Sequence, residues 1–354
     1  MMRDKMATVL WAIALPFFCW ANEIEDNTVD WRYVASSGRV TILGVYGTVP
    51  ATLTIPSSID GLPVTSIDWY AFEGCASLTH LILPPTIKSV GVASFRSCKN
   101  LVSVELPLNA TYISDDTFDG CDKITSVVVP AHSFKMSEVF PSSYKQITEL
   151  AICKGETSIG EKVFEGCSSL RALEIPQGVT NIGAMAFKDS SELESISIPS
   201  SVISIGHDAF SGCELIGGDY VVIDGCLLSG GGLGRQSVNI PVGVRLIADA
   251  VFKEDEDVRS VAIPNGVEWI GGWAFCGCKN LDSIVLPRSL KGIGDSAFMD
   301  CTNLKTLDFP AELQSIGNGA FYNCTGLKSI TIPDSVTSIG SFYNCTGLTS
   351  ITIP

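Results

Sequence analysis

Apolar positions return along this chain at a fixed interval. Phe72, Phe95 and Phe118 stand 23 residues apart, as do Phe164, Phe187 and Phe210, and then Phe252, Phe275, Phe298 and Phe321. Three residues after most of them comes a cysteine: Cys75, Cys98, Cys121, Cys167, Cys213, Cys278, Cys301 and Cys324. An aliphatic residue such as Leu78 or Leu327 follows three further on. The unit is clearest in AFYNCTGLKSITIPDSVTSIG, from Ala320 to Gly340. Towards Ile332 apolar and polar residues alternate, which is the period of a strand. Ile330 and Ile332 are therefore expected inside, Ser329 and Thr331 outside. Pro333 has no N–H to extend a ladder, so the strand ends there. Val336 and Ile339 return to the core. Gly340 marks either a turn with no room for a Cβ or a positive φ. The Ala320-Phe321 step predicts a helical or 3-10 turn whose Phe plugs the core.

One such unit cannot bury its own apolar face. Stacked units can, and stability then resides in nearest-neighbour interfaces. A period of 23 is too short for a helix pair but falls in the leucine-rich range. The expected fold is a β-rich solenoid, a right-handed superhelix of about a dozen units. Its strands are short and parallel and its turns helical or 3-10. At a strand spacing of about 4.8 Å this is a rod of roughly 55–60 Å. Phe118 to Phe164 is a double step, and Phe210 to Phe252 falls just short of one. Worn units are therefore expected at residues 131–153 and 214–247. The first has Phe140, Ile147, Leu150 and Ile152 at its apolar positions, and the second carries the loop Gly230-Gly231-Gly232.

Three segments precede or make up the stack. Residues 1–21 read as a secretory signal peptide, with Arg3 and Lys5 before an apolar run from Ala7 to Trp20 and cleavage expected after Ala21. The run is too short for a comfortable membrane span, and no later stretch offers one. Residues 22–51 read as a polar leader and an N-terminal cap, in which Trp31, Tyr33, Val40 and Ile42 flank the hairpin turn Ser36-Ser37-Gly38. Residues 52–354 are the solenoid. The sequence stops in mid-unit at Ile353-Pro354, which predicts either a truncated chain or an edge open to pairing.

The AFxxCxxLxxIxIPxxVxxIG unit, carried from about Leu53 to Pro354, resembles the BspA-like (treponemal-type) leucine-rich repeat family. The segment IPSSIDGLPVTSI before Asp68 looks like that family's usual approach to its first full unit. The resemblance implies a curved solenoid on an exported or cell-surface protein, associated with adhesion to host or matrix proteins and to other cells. It brings no catalytic residues.

Composition narrows the classes further. With 46% hydrophobic and 17% charged residues the chain is not a disordered one. A formal net charge of −15 leaves no basic footprint for nucleic acid or anionic membrane. Loss of residues 1–21 would remove Arg3, Lys5 and Asp4 and leave the chain one charge more negative. Export invites a disulfide reading of the 13 cysteines. Those on the ladder, with Cys345 added, have parallel Cβ vectors, which suit the disulfide dihedral poorly. Tyr144, Ser190 and Asp255 fill the same rung elsewhere. The ladder is thus expected as buried free thiols acting as small hydrophobes. Off the ladder, Cys276-Gly277-Cys278 lacks the two-residue gap of a zinc knuckle.

Catalytic patterns are missing from the sequence. His80, His132 and His207 show no ligand spacing, no GxSxG elbow occurs, and Gly230 to Gly234 lacks a phosphate-loop register. Glu254 to Asp257, and Asp115, Asp116, Asp119 and Asp122, read as solvated charge. Neither a cofactor nor a metal is expected. The candidate binding face is the outward strand columns. One holds Ser103, Ser126, Ser195, Ser260, Ser283, Ser329 and Ser350, and its neighbour Glu105, Glu174, Ser197, Asp308 and Thr331. That face is small and mildly acidic and lacks hot-spot anchors. It suits broad, weak contact that adds by avidity. The variable segments Ser133–Tyr144 and Gly217–Arg235 are the other candidates. The leading expectation is a non-enzymatic binding rod for extracellular or host proteins, glycans or cells. The competing ones are a structural rod joining end to end and a targeting module of a longer exported enzyme.

Overall fold

A computed structural model describes residues 29–132, 134–213, 220–230, 234–340 and 342–353. The expected signal peptide, most of the leader, and parts of the loops around residues 133, 217 and 231 lie outside the described residues. The described residues form a β-solenoid of about 13 turns of some 23 residues, with almost no helix among them. Each regular turn contributes two short strands to two separate sheets. One is the alternating strand, such as Ser103–Glu105, which pairs in parallel with His80–Ile82 before it and Ser126–Val129 after it. The other is a two-residue strand before the motif glycine, such as Ser89–Val90, paired with Ser66–Ile67 and Tyr112–Ile113. Partners in register sit one repeat apart, so each column of a sheet is one position of the unit.

The interior is made of the periodic apolar residues. Phe72, Phe95, Phe118 and Phe140 stack with ring centroids 5.2, 5.6 and 5.0 Å apart. Phe252, Phe275, Phe298 and Phe321 repeat the column at 5.1, 5.2 and 5.3 Å, with their ring planes nearly parallel. All eight are fully buried. The cysteine rung lies beside this column, and it is more than filler. The thiol of Cys98 donates to the carbonyl oxygen of Phe72 at 3.2 Å, and that of Cys121 to Phe95 at 3.1 Å. Cys213, Cys278, Cys301, Cys324 and Cys345 do the same, at 3.0–3.2 Å. Ser190 replaces the thiol with a hydroxyl on Phe164 at 3.0 Å. All twelve cysteines among the described residues are free. Burial pushes the Cys167, Cys213 and Cys278 thiols up to about 12.

Two sequence expectations become specific. The step through the Phe is a run of tight turns closed by i→i+3 hydrogen bonds, as from the Tyr322 N–H to Gly319 and from the Cys324 N–H to Phe321, and it does not extend into a helix. The reason is a recurrent left-handed residue two positions on: Ser97, Asp189, Glu254, Asp300 and Asn323 all have φ between 57° and 60°. Such a residue stops helical propagation after one turn. The alternatives at Gly340 also resolve. Its φ is not positive, and an added Cβ would run into the backbone of Gly317. At Gly317 the Cβ would lie 2.5 Å from the Asp295 nitrogen, so this column of glycines exists because adjacent turns touch there.

The irregular stretches differ from each other. In residues 131–153 the strand Glu149–Ile152 keeps the register of Ser126–Val129, and Phe140 keeps its place in the stack. The second sheet is interrupted there, and a short helix, Met136–Val139, occupies the level. Between residues 220 and 247 the worn unit includes an antiparallel hairpin of Val221–Ile223 and Cys226–Ser229, turning at Asp224-Gly225 with φ of 46° and 75°. Cys226–Ser229 then pairs in parallel with Leu246–Ile247 and rejoins the stack. Arg245 pins this junction: its guanidinium donates to the carbonyls of Pro199 (3.0 Å), Val202 (2.5 Å) and Asp224 (3.2 Å). The buried apolar residues form two clusters that meet here, with Leu246 in one and Ile247 in the other. At the N-terminal end, Trp31–Ser36 and Arg39–Val45 form an antiparallel hairpin, and the second strand joins Leu62–Ile67 in parallel.

Candidate functional site

The outward columns expected from the sequence are real neighbours, but only in segments. Ser103 lies beside Ser126, Ser195 beside Ala172, Ser260 beside Ser237 and Ser283, and Ser329 beside Ser350. In the second column Glu105 sits between Ile82 and Val128, Glu174 beside Ser197, and Thr331 beside Thr352. Asp308 is exposed in a segment without an assigned strand. Among the described residues the ladder is thus four pieces, not one sheet. Glu174, Ser195, Ser197, Ser283, Ser329 and Thr331 are exposed, whereas Ser103, Glu105, Ser126 and Ser260 are half-buried. Burial raises the Glu105 carboxyl above its ordinary range. None of these positions carries an aromatic side chain.

The exposed aromatics lie on the other sheet and the turn that follows it. Trp69, Tyr70 and Tyr112 are exposed near its N-terminal end. Trp269 and Trp273 lie further along and border a groove of about 370 Å³. Three glycines shape that groove. A Cβ at Gly292 would overlap the Trp269 indole, whose Cε3 would be 2.5 Å away, so the ring lies across the next turn. Gly271 is the close-approach glycine of its turn, its would-be Cβ 2.6 Å from the Asp249 nitrogen. Gly272 occupies the position held by Asp249 one turn earlier and by Asp295 one turn later, so its missing side chain leaves a gap between two carboxylates. Asp249 Oδ1 accepts the Gly272 N–H at 2.7 Å, and Asp295 Oδ1 accepts the Asn318 N–H at 2.6 Å. Burial raises the Asp249 carboxyl to about 6, against the Gly272 hydrogen bond and the nearby His207; the Asp295 charge adds to the rise. Trp273 stands at φ +53° with its N–H on the Asp295 carbonyl at 2.9 Å.

Sequence reasoning missed this groove because it followed the alternating strand. The available signal was that Trp69, Trp269 and Trp273, half of the six tryptophans, cluster around the motif glycine. A second cleft, of about 360 Å³, lies beside the first worn unit. Its buried Glu156 accepts the Ala131 N–H at 2.7 Å and lies 2.8 Å from His132 Nδ1. There the carboxylate closes backbone bonds that the interrupted sheet leaves open.

A family model described as BspA type leucine rich repeat region (6 copies) matches residues 51–145, 136–217 and 236–354. No curated protein matches. Similar solved structures include a leucine rich cell surface protein from Faecalibacterium prausnitzii, 25% identical, covering 91% of this chain and 93% of that one with a TM-score of 0.37. A leucine-rich repeat protein from Bacteroides ovatus is 22% identical over 91% of this chain and 92% of its own, with a TM-score of 0.36. The pneumococcal vaccine antigen PcpA is 20% identical over 93% and 85%, with a TM-score of 0.34. Among the described residues no helix is long and apolar enough to cross a membrane.

Proposed function

The chain belongs to the BspA type leucine rich repeat family, and from that premise we propose that it is an exported, non-enzymatic binding module that contacts proteins, glycans or cells outside the cell that makes it. The observation that carries the reading is the repetition itself. Successive turns hold the same outward positions in register, so one weak contact can be offered many times along one face. The N-terminal pattern of residues 1–21 supports export. The candidate face of Ser103, Glu105, Ser126, Glu174, Ser195, Ser197, Ser260, Ser283, Asp308, Ser329 and Thr331 offers hydroxyls and a few carboxylates. The aromatic side of the solenoid offers the anchors that face lacks. A solid-phase assay of the full chain against matrix proteins and intact cells tests the reading. Saturable binding to at least one surface is expected; none across the panel overturns it.

A further inference from the structure

We propose that the groove between Trp269 and Trp273 holds the guanidinium of an arginine on a basic segment of a protein partner. The proposal rests on the binding-module reading and gives one of its sites a chemistry. The first argument is construction. The recess is a local departure from the repeat: Gly272 leaves out a side chain that both flanking turns supply as aspartate, and Gly292 lets an indole lie flat where the next two turns carry Ser315 and Ser338. Trp273 is 39% exposed and takes the left-handed position that Ala250 and Ser296 hold in the flanking turns, where it sets an indole in place of a small side chain. It presents apolar surface to the groove that nothing in the chain covers among the described residues.

The second argument is charge. Asp249 and Asp295 border the same gap, and among the described residues neither is ion-paired with a lysine or arginine. The chain as a whole carries a formal charge of −15. Burial already disfavours the ionised form of Asp249, so an arriving cation relieves a cost present in the empty groove. A neutral saccharide would use the indole faces and leave that cost in place. An arginine uses both features: its planar guanidinium stacks on an indole and meets carboxylates with a fixed fork of donors. A lysine ammonium matches the charge but not the plane.

The test uses the full chain and a fluorescently labelled Gly-Ser-Arg-Ser-Gly peptide, followed by anisotropy at low salt, with its citrulline counterpart alongside. Saturable binding of the arginine peptide is expected. Trp273→Ala and Asp295→Asn should each weaken it about threefold to thirtyfold, and Trp273→Phe should retain most of it. Asparagine keeps an oxygen for the Asn318 N–H, and Trp273 is outside the core, so matching melting curves for the variants are expected. Equal binding of the citrulline peptide overturns the proposal. So does Trp273-dependent binding of a chito-oligosaccharide without binding of the arginine peptide, or the absence of peptide binding at millimolar concentration. The same variants enter the surface assay described above. Undiminished surface binding without peptide binding sinks the groove alone, whereas peptide binding by a chain that attaches to no surface sinks the broader reading alone.

Discussion

Replacing Cys301 by serine and by alanine separates two accounts of the cysteine rung. Cys301 is fully buried, and its thiol donates to the Phe275 carbonyl at 3.2 Å. The same oxygen accepts the Cys278 N–H at 3.2 Å, so the thiol fills its second acceptor site. Alanine loses the sulfur's packing, about 1 kcal/mol by analogy with a buried methylene. It also loses a hydrogen bond of about 1 kcal/mol. The expected loss is about 2 kcal/mol. Serine keeps a donor of the right reach, as Ser190 does on Phe164 at 3.0 Å in the same rung. Its loss should stay below about 1 kcal/mol, because the hydroxyl is buried with a partner. A thiol serving only as a small hydrophobe predicts the opposite order, since serine would then bury a hydroxyl at a cost of about 1–3 kcal/mol. Urea unfolding followed by far-ultraviolet circular dichroism, with slopes compared to confirm that only stability changed, reads the order. A serine variant less stable than the alanine variant refutes the donor role.

Two further outcomes follow from the groove and the junction. Asp249 is raised by burial from 3.8 to about 6, so the native state holds its proton more tightly than the unfolded chain and its contribution to stability falls as pH rises between about 4 and 6. Asp249→Asn should therefore be more stable than the parent above pH 6, by up to about 3 kcal/mol. The advantage should vanish near pH 4; urea midpoints at pH 4 and 7.5 that differ equally contradict this. Arg245→Lys cannot reach the three carbonyls that the guanidinium joins, and should cost about 2–3 kcal/mol. Hydrogen exchange should quicken first in the Val221–Ser229 hairpin, and an unchanged urea midpoint counts against the pin.

The stack was legible in the sequence because a solenoid writes each structural position once per turn. The spacing of Phe252, Phe275 and Phe298 gave the ring column directly. Positions whose role depends on two turns at once were less legible. The close approach at Gly340 looks the same in sequence as a positive φ. The thiol's acceptor, a carbonyl one turn back, has no side-chain signature, and only Ser190 in the same rung hinted that a donor was needed. The hairpin at Asp224-Gly225 was signalled by its dipeptide but hidden inside a stretch already read as a worn repeat. The aromatic groove escaped because it is made by absences, at Gly272 and Gly292, as much as by the two tryptophans.

The shared interior is tested most directly by Phe275→Ala. That ring lies between Phe252 at 5.1 Å and Phe298 at 5.2 Å, and its loss should cost about 3–5 kcal/mol. Hydrogen exchange resolved by peptide should quicken in residues 246–252 and 292–298 as well as in 269–275, and fade towards Ser103. Quickening confined to residues 269–275, with both neighbouring turns as protected as before, would contradict a stack whose turns share one core.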